Sequence, residues 1–187
     1  AAGRVTAVGE GEHLVRMEYD AAGAQVAVAS PTGARTVLSR GPHGAISGVR
    51  NALGGTATLG YDDLGRLVSA ADATGREHRY EFDVLGRVKA ITDPAGKTRT
   101  YAYNPLGMVA GIRERDDTET RLEYDPVGRL TRMAMADGDE VRFSYDAAGN
   151  PTRVTDKDSE LVLAYDDLGR LSTIHDAVLD VDVKQEY

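Results

Sequence analysis

Six aspartates each follow an aromatic residue directly, which makes them the first candidates for chemistry. They are Asp20, Asp62, Asp83, Asp125, Asp146 and Asp166. Paired carboxylates can serve as general acid and base, and clustered carboxylates can hold Ca²⁺. Catalysis needs a unique combination of acid, base and stabilising groups, whereas these aspartates recur in equivalent positions. The recurrence favours a capping role in turns over catalysis.

Metal binding and nucleophilic catalysis receive little support from the other residue types. The densest acidic candidates for calcium are Asp116–Asp117 and Asp156 with Asp158, but a calcium loop places several oxygen ligands at alternate positions. Weak Ca²⁺ binding stays open. No histidine pair has metal-ligand spacing, and neither H-E-x-x-H nor G-x-S-x-G occurs. The histidines are His13, His43, His78 and His175. We therefore expect no enzyme activity, catalytic residue, resident metal or cofactor in this segment.

The aspartates belong to a repeat of about 21 residues. Aromatic residues begin successive copies at Tyr19, Tyr61, Phe82, Tyr103, Tyr124, Tyr145 and Tyr165, with Arg40 in the slot of a degenerate copy. Successive starts lie 21 residues apart, except for a last spacing of 20. Glycine follows four positions later, at Gly23, Gly44, Gly65, Gly86, Gly107, Gly128, Gly149 and Gly169. A fixed period is typical of a structural repeat.

Two turns and two strands are predicted in each copy. Asp can accept a hydrogen bond from the backbone two residues on, and Gly tolerates positive φ. A second turn is clearest at Asp72–Gly75, Asp93–Gly96 and Ser30–Gly33, and is looser at 116–118, 137–139 and 156–159. In 98–103, Tyr101 and Tyr103 share one face, as period 2 requires. We expect the opposite faces, such as Arg79 and Glu81, to be solvated and ion-paired.

The segment after each motif glycine has an apolar spacing of three, as in Leu67 and Ala70. That offset alone could indicate a helical turn, but the short length and the β-branched content favour a strand with a bulge or a change of face. The sequence therefore predicts an all-β array of antiparallel hairpins.

Arginine follows the motif glycine at Arg4, Arg66, Arg87, Arg129 and Arg170. These guanidinium groups could form an anion site. The simpler interpretation makes each a partner for a turn Asp or Tyr of a neighbouring hairpin, and it requires every motif arginine to contact a neighbouring repeat.

Composition limits the possible partners. The net charge of −8 and the absence of a basic block argue against nucleic acid. No cysteine is present, so disulfides are excluded, and no apolar stretch approaches the roughly 20 residues of a membrane span. The first residues lack the pattern of a secretory signal peptide. The tyrosine stripe could contact carbohydrate, although cross-strand aromatic pairing explains it as well.

The motif resembles the RHS/YD-repeat family, whose repeat is written around Y-D-x-x-G-R-L. The best matches are YDDLGRL at 61–67 and 165–171, YDPVGRL at 124–130 and FDVLGRV at 82–88. The resemblance implies a ribbon of β-hairpins that winds as part of a spiral β-shell. Bacterial members enclose a C-terminal toxin or effector domain of the same polypeptide, and animal teneurins use a similar shell in adhesion. Asp125-Pro126 is similar to the start of the family's cleavage motif, but Arg129 follows Gly128 where the family has leucine, so no cleavage role is assigned.

We therefore expect residues 1–187 to form one array of about eight copies, cut at both ends, with 34–60 degenerate and its hairpin distorted. The expected function is a secreted or cell-surface structural wall that holds a cargo. Surface adhesion or carbohydrate contact is the alternative, and an enzyme whose active site lies elsewhere is a third. The expected partners are flanking repeats and the cargo domain, with self-association through open sheet edges.

Overall fold

The computed structural model describes residues 4–8 and 15–185, and these residues form short β-strands joined by tight turns. Contacts divide the chain into two compact units, 1–98 and 99–187. Helix is limited, in this part of the chain, to a 3₁₀ turn at Pro42–Gly44. Within the same residues, no helix has the length and apolar character needed to cross a membrane. The prediction of an all-β fold is confirmed.

Each unit is a meander of antiparallel strands. The first unit contains β1 (Val5–Val8), β2 (Val15–Tyr19), β3 (Gln25–Ala29), β4 (Arg35–Arg40), β5 (Ile46–Arg50), β6 (Thr56–Tyr61), β7 (Leu67–Ala71), β8 (Glu77–Phe82) and β9 (Val88–Thr92). In it, every strand from β1 to β8 pairs with the next strand along the chain. Sequential pairing of this kind is what short connections between antiparallel strands produce.

The second unit repeats this arrangement. It contains β10 (Thr98–Tyr103), β11 (Val109–Arg113), β12 (Glu119–Tyr124), β13 (Leu130–Ala134), β14 (Glu140–Tyr145), β15 (Pro151–Thr155), β16 (Glu160–Tyr165), β17 (Leu171–Asp176) and β18 (Val181–Lys184). Each strand pairs with its successor from β10 to β18. We call the strand that ends at the aromatic slot the motif strand, and its successor the bulged strand.

A β-bulge recurs at the same place in the motif hairpins. In the copy that begins at Tyr61, Tyr61 pairs with Leu67 but Gly60 pairs with Ser69, so β7 contains one extra residue. An extra residue turns a sequence offset of three into a same-face pair, because the strand's period of two is displaced by one. Leu67 and Ala70 therefore lie opposite Tyr61 and Leu59 on one face. The predicted bulge is confirmed.

The two faces of the array differ in chemistry, as the alternation predicts. On β8, Tyr80 and Phe82 are half-buried, whereas Arg79 and Glu81 are exposed. We call these the apolar face and the charged face. Among the described residues, only Ala27 and Ala90 are buried apolar side chains. The array thus has no thick core, and its stability rests on strand pairing and on contacts between neighbouring copies.

Candidate functional site: the contacts that join the repeats

The motif turn, which runs from the residue after the aromatic slot to the motif glycine, is closed by backbone and side-chain bonds together. In one copy, the Gly65 amide donates to the Asp62 carbonyl at 2.9 Å, and the Asp62 amide donates to the Arg66 carbonyl at 3.0 Å. Asp62 Oδ1 accepts from the amides of Leu64 and Arg66, at 3.0 and 2.9 Å. Gly65 has φ +77°, which a residue with a Cβ adopts only with strain. The motif Asp and Gly therefore set the shape of the turn.

The motif arginine forms an ion pair with the aspartate of its own turn. Arg66 Nε donates to Asp62 Oδ2 at 2.7 Å, and Arg129 Nε donates to Asp125 Oδ2 at 2.6 Å. The same pair recurs as Arg87 with Asp83 and as Arg170 with Asp166. The prediction named a turn Asp or a Tyr of a neighbouring hairpin as the partner, and the Asp alternative is wrong because the carboxylate lies in the arginine's own turn. Residues i and i+4 of a tight turn already bring the two charges together.

Contact with the next copy comes instead from the rest of the guanidinium group. The Arg66 guanidinium carbon lies 4.6 Å from the centre of the Phe82 ring, and that of Arg129 lies 4.7 Å from the Tyr145 ring. Arg129 Nη1 also donates to the Asp146 carbonyl at 3.0 Å. A cation over an aromatic face is attracted by the ring quadrupole. At these two sites the motif arginine links its turn to the following repeat.

The motif tyrosine reaches in the opposite direction, to the preceding repeat. The Tyr61 hydroxyl donates to the Ile46 carbonyl at 2.9 Å, and the Tyr124 hydroxyl donates to the Val109 carbonyl at 2.8 Å. Tyr145 and Tyr165 make the equivalent 2.8 Å bonds to Leu130 and Pro151. Each acceptor is the first residue of the preceding bulged strand. Phe82 has no hydroxyl, and the Tyr19 hydroxyl instead contacts Met17 Sδ at 3.5 Å.

Arg40 performs the tyrosine's role in the degenerate copy. Its Nη2 donates to the Gln25 carbonyl at 3.0 Å, which is the carbonyl that the repeat offers to a motif tyrosine. Its Nη1 donates to the Gly44 carbonyl at 2.7 Å, within the motif turn. The 21-residue phase places Arg40 in the aromatic slot, but the sequence does not show that its guanidinium group replaces the tyrosine hydroxyl as donor.

The degenerate hairpin is therefore divergent in sequence but regular in pairing. Strands β4 and β5 pair in the usual register, with the bulge in its usual place between Ser39 and Arg40. Distortion is confined to the turn, where His43 adopts φ +59° beside Gly44 at φ +75°. The expectation of a distorted hairpin holds for the turn alone.

The second turns keep the 21-residue phase more strictly than the sequence shows. Their first residues are Ser30, Asn51, Asp72, Asp93, Glu114, Met135 and Asp156, and each amide but the last donates to the carbonyl four residues on. Glu114 and Met135 begin the turns that the sequence pattern centres on 116–118 and 137–139. The Asp156 amide donates to the Ser159 carbonyl, only three residues on. One residue is missing from this turn, which accounts for the final spacing of 20.

The charged face has ion pairs within single strands, such as Arg79 with Glu77, and others that join strands, of which two examples differ in reach. In the first unit, Arg35 Nε on β4 donates to Glu18 Oε1 on β2 at 3.0 Å, across the intervening strand that carries the buried Ala27. In the second unit, Arg132 on β13 donates to Glu123 and Glu140 on the two adjacent strands, at 2.6 and 2.7 Å. A small residue in the bulged strand leaves room for pairs to span it, whereas an arginine there links both neighbours.

Several turn carboxyl groups have a pKa below their ordinary value. Hydrogen bonds from the Arg66 amide and guanidinium lower the pKa of Asp62, and those from Arg170 lower the pKa of Asp166. The Thr74 hydroxyl, followed by the Arg76 guanidinium, lowers the pKa of Asp72. These shifts report turn capping, and none of them raises a carboxyl toward the range of a general acid at neutral pH.

Clusters of potential metal ligands are absent from the part of the chain that the structure describes. Residues 4–8 and 15–185 contain no group of three or more His, Asp and Glu residues arranged to hold a metal ion. At the two acidic candidates for calcium, Asp116 Oδ1 accepts from the amide and hydroxyl of Thr118, and Asp156 Oδ1 accepts from the Asp158 and Ser159 amides. These oxygens serve as turn caps.

Comparison with solved structures places the fold among toxin-complex proteins. A Photorhabdus luminescens Tc holotoxin pore carrying a TccC3 mutation matches over 92% of this chain, with a TM-score of 0.62 and 16% identity. TcdB2–TccC3 without its hypervariable C-terminal region matches over 94%, with a TM-score of 0.58 and 15% identity. The present chain spans only 13% and 11% of those chains. At these identities the likeness concerns the fold.

Sequence comparison identifies the repeat itself. No relative was found among curated protein sequences. The sequence profile described as RHS Repeat matches residues 42–77, 82–119, 124–161 and 145–178. These matches cover more than half of the chain, include part of the degenerate copy, and agree with the hairpins seen in the structure. The chain therefore belongs to the RHS-repeat family.

Proposed function

We propose that this segment is wall material of a β-shell that encloses a toxin or effector domain of the same polypeptide. The observation that carries the proposal is the two-way linkage between copies. A motif tyrosine bonds to the preceding repeat, and a motif arginine contacts the following one. Links of this kind make a continuous sheet of hairpins resistant to local opening, because one hairpin cannot leave without breaking bonds on both sides.

The segment itself acts without catalysis in this proposal. In four copies the motif carboxylate and guanidinium group that could do chemistry are bound to each other in the same geometry. A group engaged in turn closure is unavailable as a free acid, base or anion ligand. The activity delivered to a target would belong to the enclosed domain.

Residues 1–187 form one repeat array in this proposal, with further repeats and a cargo domain as partners within the same polypeptide. The likeness to Tc toxin chains supports a secreted or surface-exposed bacterial assembly. The RHS profile and the shared fold support the wall, and the enclosure of cargo is the step that needs experiment.

The first test is to sequence the gene through both flanks of this segment. We expect further YD copies that lead into an unrelated C-terminal domain. The full-length protein is then digested with a nonspecific protease, beside the C-terminal domain expressed alone. Enclosure predicts a C-terminal domain that survives in the full-length protein and is degraded when alone. Flanks with a membrane span and adhesion modules, or equal digestion of both samples, would replace the shell with a surface-recognition role.

A further inference from the structure

The tips of the motif turns carry exposed aliphatic side chains at one repeat position. In the second unit, Leu106, Val127 and Leu168 are 69%, 76% and 77% exposed, and in the first unit Leu64 and Leu85 are 78% and 74% exposed. Because the strands form a meander, all motif turns of a unit lie along one edge, and all second turns lie along the other. Every second strand brings a new tip about 10 Å further along that edge. We call these five side chains the motif-tip rows.

The turn itself does not require an aliphatic side chain at its tip. Ala148 occupies the same position in the copy that begins at Tyr145, and there the Gly149 amide still donates to the Asp146 carbonyl at 3.2 Å. Ala22 likewise stands in a closed turn, with its amide 2.9 Å from Asp20 Oδ1. Single exposed leucines are common, but an aligned series without a local structural role is typical of a contact surface.

Charge makes the two edges of the second unit unlike. On its motif edge, Asp125 and Asp166 are neutralised within the turn by Arg129 and Arg170, at 2.6 and 2.7 Å, whereas Asp146 bonds to the uncharged Asn150. Asp63 and Asp167 add carboxylates next to two of the tips. The second-turn edge of the second unit is acidic, and only Lys157 and Arg115 offset Glu114 and eight aspartates. The aspartates are Asp116, Asp117, Asp137, Asp139, Asp156, Asp158, Asp176 and Asp180. Two second-turn edges would repel each other, whereas two motif edges present mainly apolar tips.

We propose that the motif-tip rows dock against the same rows of a second copy of this chain. A surface that meets itself around a two-fold axis must be complementary to its own pattern, and a row of apolar tips at multiples of about 10 Å satisfies this condition. The contact buries aliphatic side chains and leaves the ion-paired turns at its rim. It differs from strand-to-strand association at an open sheet edge, because it uses turn tips and no backbone ladder.

The decisive experiment measures self-association of the 187-residue chain by sedimentation equilibrium. The variant replaces all five tips by alanine, the residue that Ala22 and Ala148 already place there. We expect the dissociation constant to rise by at least about a hundredfold, since several aliphatic contacts are lost on each copy. Far-UV circular dichroism and the urea midpoint should stay close to those of the parent. The matched control is Leu53→Ala, because Leu53 is 96% exposed but lies at a second turn.

Cysteine crosslinking gives a second, independent readout, since the chain contains no cysteine. Single variants Leu106→Cys, Val127→Cys and Leu168→Cys are oxidised under mild conditions beside Leu53→Cys. Disulfide-linked dimers at one or more motif tips, with none at residue 53, are the expected result. A parent chain that is monomeric at all concentrations, a five-alanine variant with unchanged affinity, or equal crosslinking at residue 53 would overturn the proposal.

Discussion

The copy that begins at Tyr61 and the copy that begins at Arg40 build the same hairpin from different residues. Tyr61 donates its hydroxyl to the Ile46 carbonyl, and Arg40 donates its guanidinium to the Gln25 carbonyl, each 15 residues back along the chain. Asp62 closes its turn with a side chain, whereas Gly41 has none and Arg40 bonds Gly44 instead. A copy is therefore defined by the bonds that it makes to its neighbours. The tyrosine and aspartate of the motif are one set of residues that can make these bonds.

The backbone conformation at the motif glycine is the feature that both copies share most strictly, so it should give the largest effect. Gly65 and Gly44 have φ +77° and +75°, and a Cβ added at either position would meet no atom within 4 Å beyond its chain neighbours. Gly65→Val and Gly44→Val should each lower the free energy of unfolding by about 2 kcal/mol through backbone strain alone. Urea unfolding measures the loss. Leu64→Ala, next to Gly65, should change it by no more than about 0.5 kcal/mol.

Substitutions at Arg40 test whether the degenerate copy depends on the guanidinium group that replaces the tyrosine hydroxyl as hydrogen-bond donor. Arg40→Ala removes the bonds to Gln25 and Gly44 and should cost about 1.5 kcal/mol. Arg40→Tyr restores the hydroxyl donor of the other copies and should recover roughly half of that loss. Urea unfolding compares the two variants, and amide exchange at Ser39 and Ala45 localises the effect. If Arg40→Ala matches the parent, the two copies are not held in the same way.

The tyrosine bond can be removed from one copy and introduced into another. Tyr61→Phe should lower the free energy of unfolding by about 1 kcal/mol, because the Ile46 carbonyl loses its donor. Phe82 is the natural counterpart without a hydroxyl, and Leu67 lies 15 residues before it. Phe82→Tyr should therefore raise the free energy of unfolding by up to about 1 kcal/mol. No loss of stability in Tyr61→Phe, together with no gain in Phe82→Tyr, would show that the hydroxyl does not link the copies.

The pH dependence of the free energy of unfolding should be the smallest of these effects. It should distinguish motif turns that contain a carboxylate from the motif turn of the copy at Arg40, which contains none. A carboxyl whose pKa is lowered in the folded state stabilises the fold above its unfolded pKa of about 3.9, and this stability is lost as the pH falls through the folded value. Asp62, Asp72 and Asp166 all have lowered pKa values. We expect the free energy of unfolding to be constant from about pH 8 to 5 and to fall below about pH 4.

The matched variant for this titration is Asp62→Asn. Asn104 already occupies the equivalent position and accepts the Leu106 and Met108 amides at 3.0 Å, so the cap survives while the arginine pair is lost. Asp62→Asn should reduce the acid dependence of unfolding, measured by urea titration at several pH values. Arg40→Tyr should leave that dependence unchanged, because the copy at 40 has no turn carboxylate. An unaltered acid slope in Asp62→Asn would contradict the assignment.

Much of this protein could be predicted from the sequence because its determinants are local. Gly, Asp and the period of 21 residues predict two turns per copy, and alternation within 98–103 predicts the two faces of a strand. The spacing of Leu67 and Ala70 predicts the bulge. These features depend on the conformational preferences of a few adjacent residues, which act in the same way in every copy.

Contacts between copies were decided only by the tertiary structure. The carbonyl that accepts the Tyr61 hydroxyl belongs to Ile46, which becomes its neighbour only once the bulge has set the register of β6 and β7. The bond from Arg40 to the Gln25 carbonyl depends on the equivalent bulge and register of β4 and β5. A sequence records which donors are present, but strand pairing determines which acceptor each donor meets.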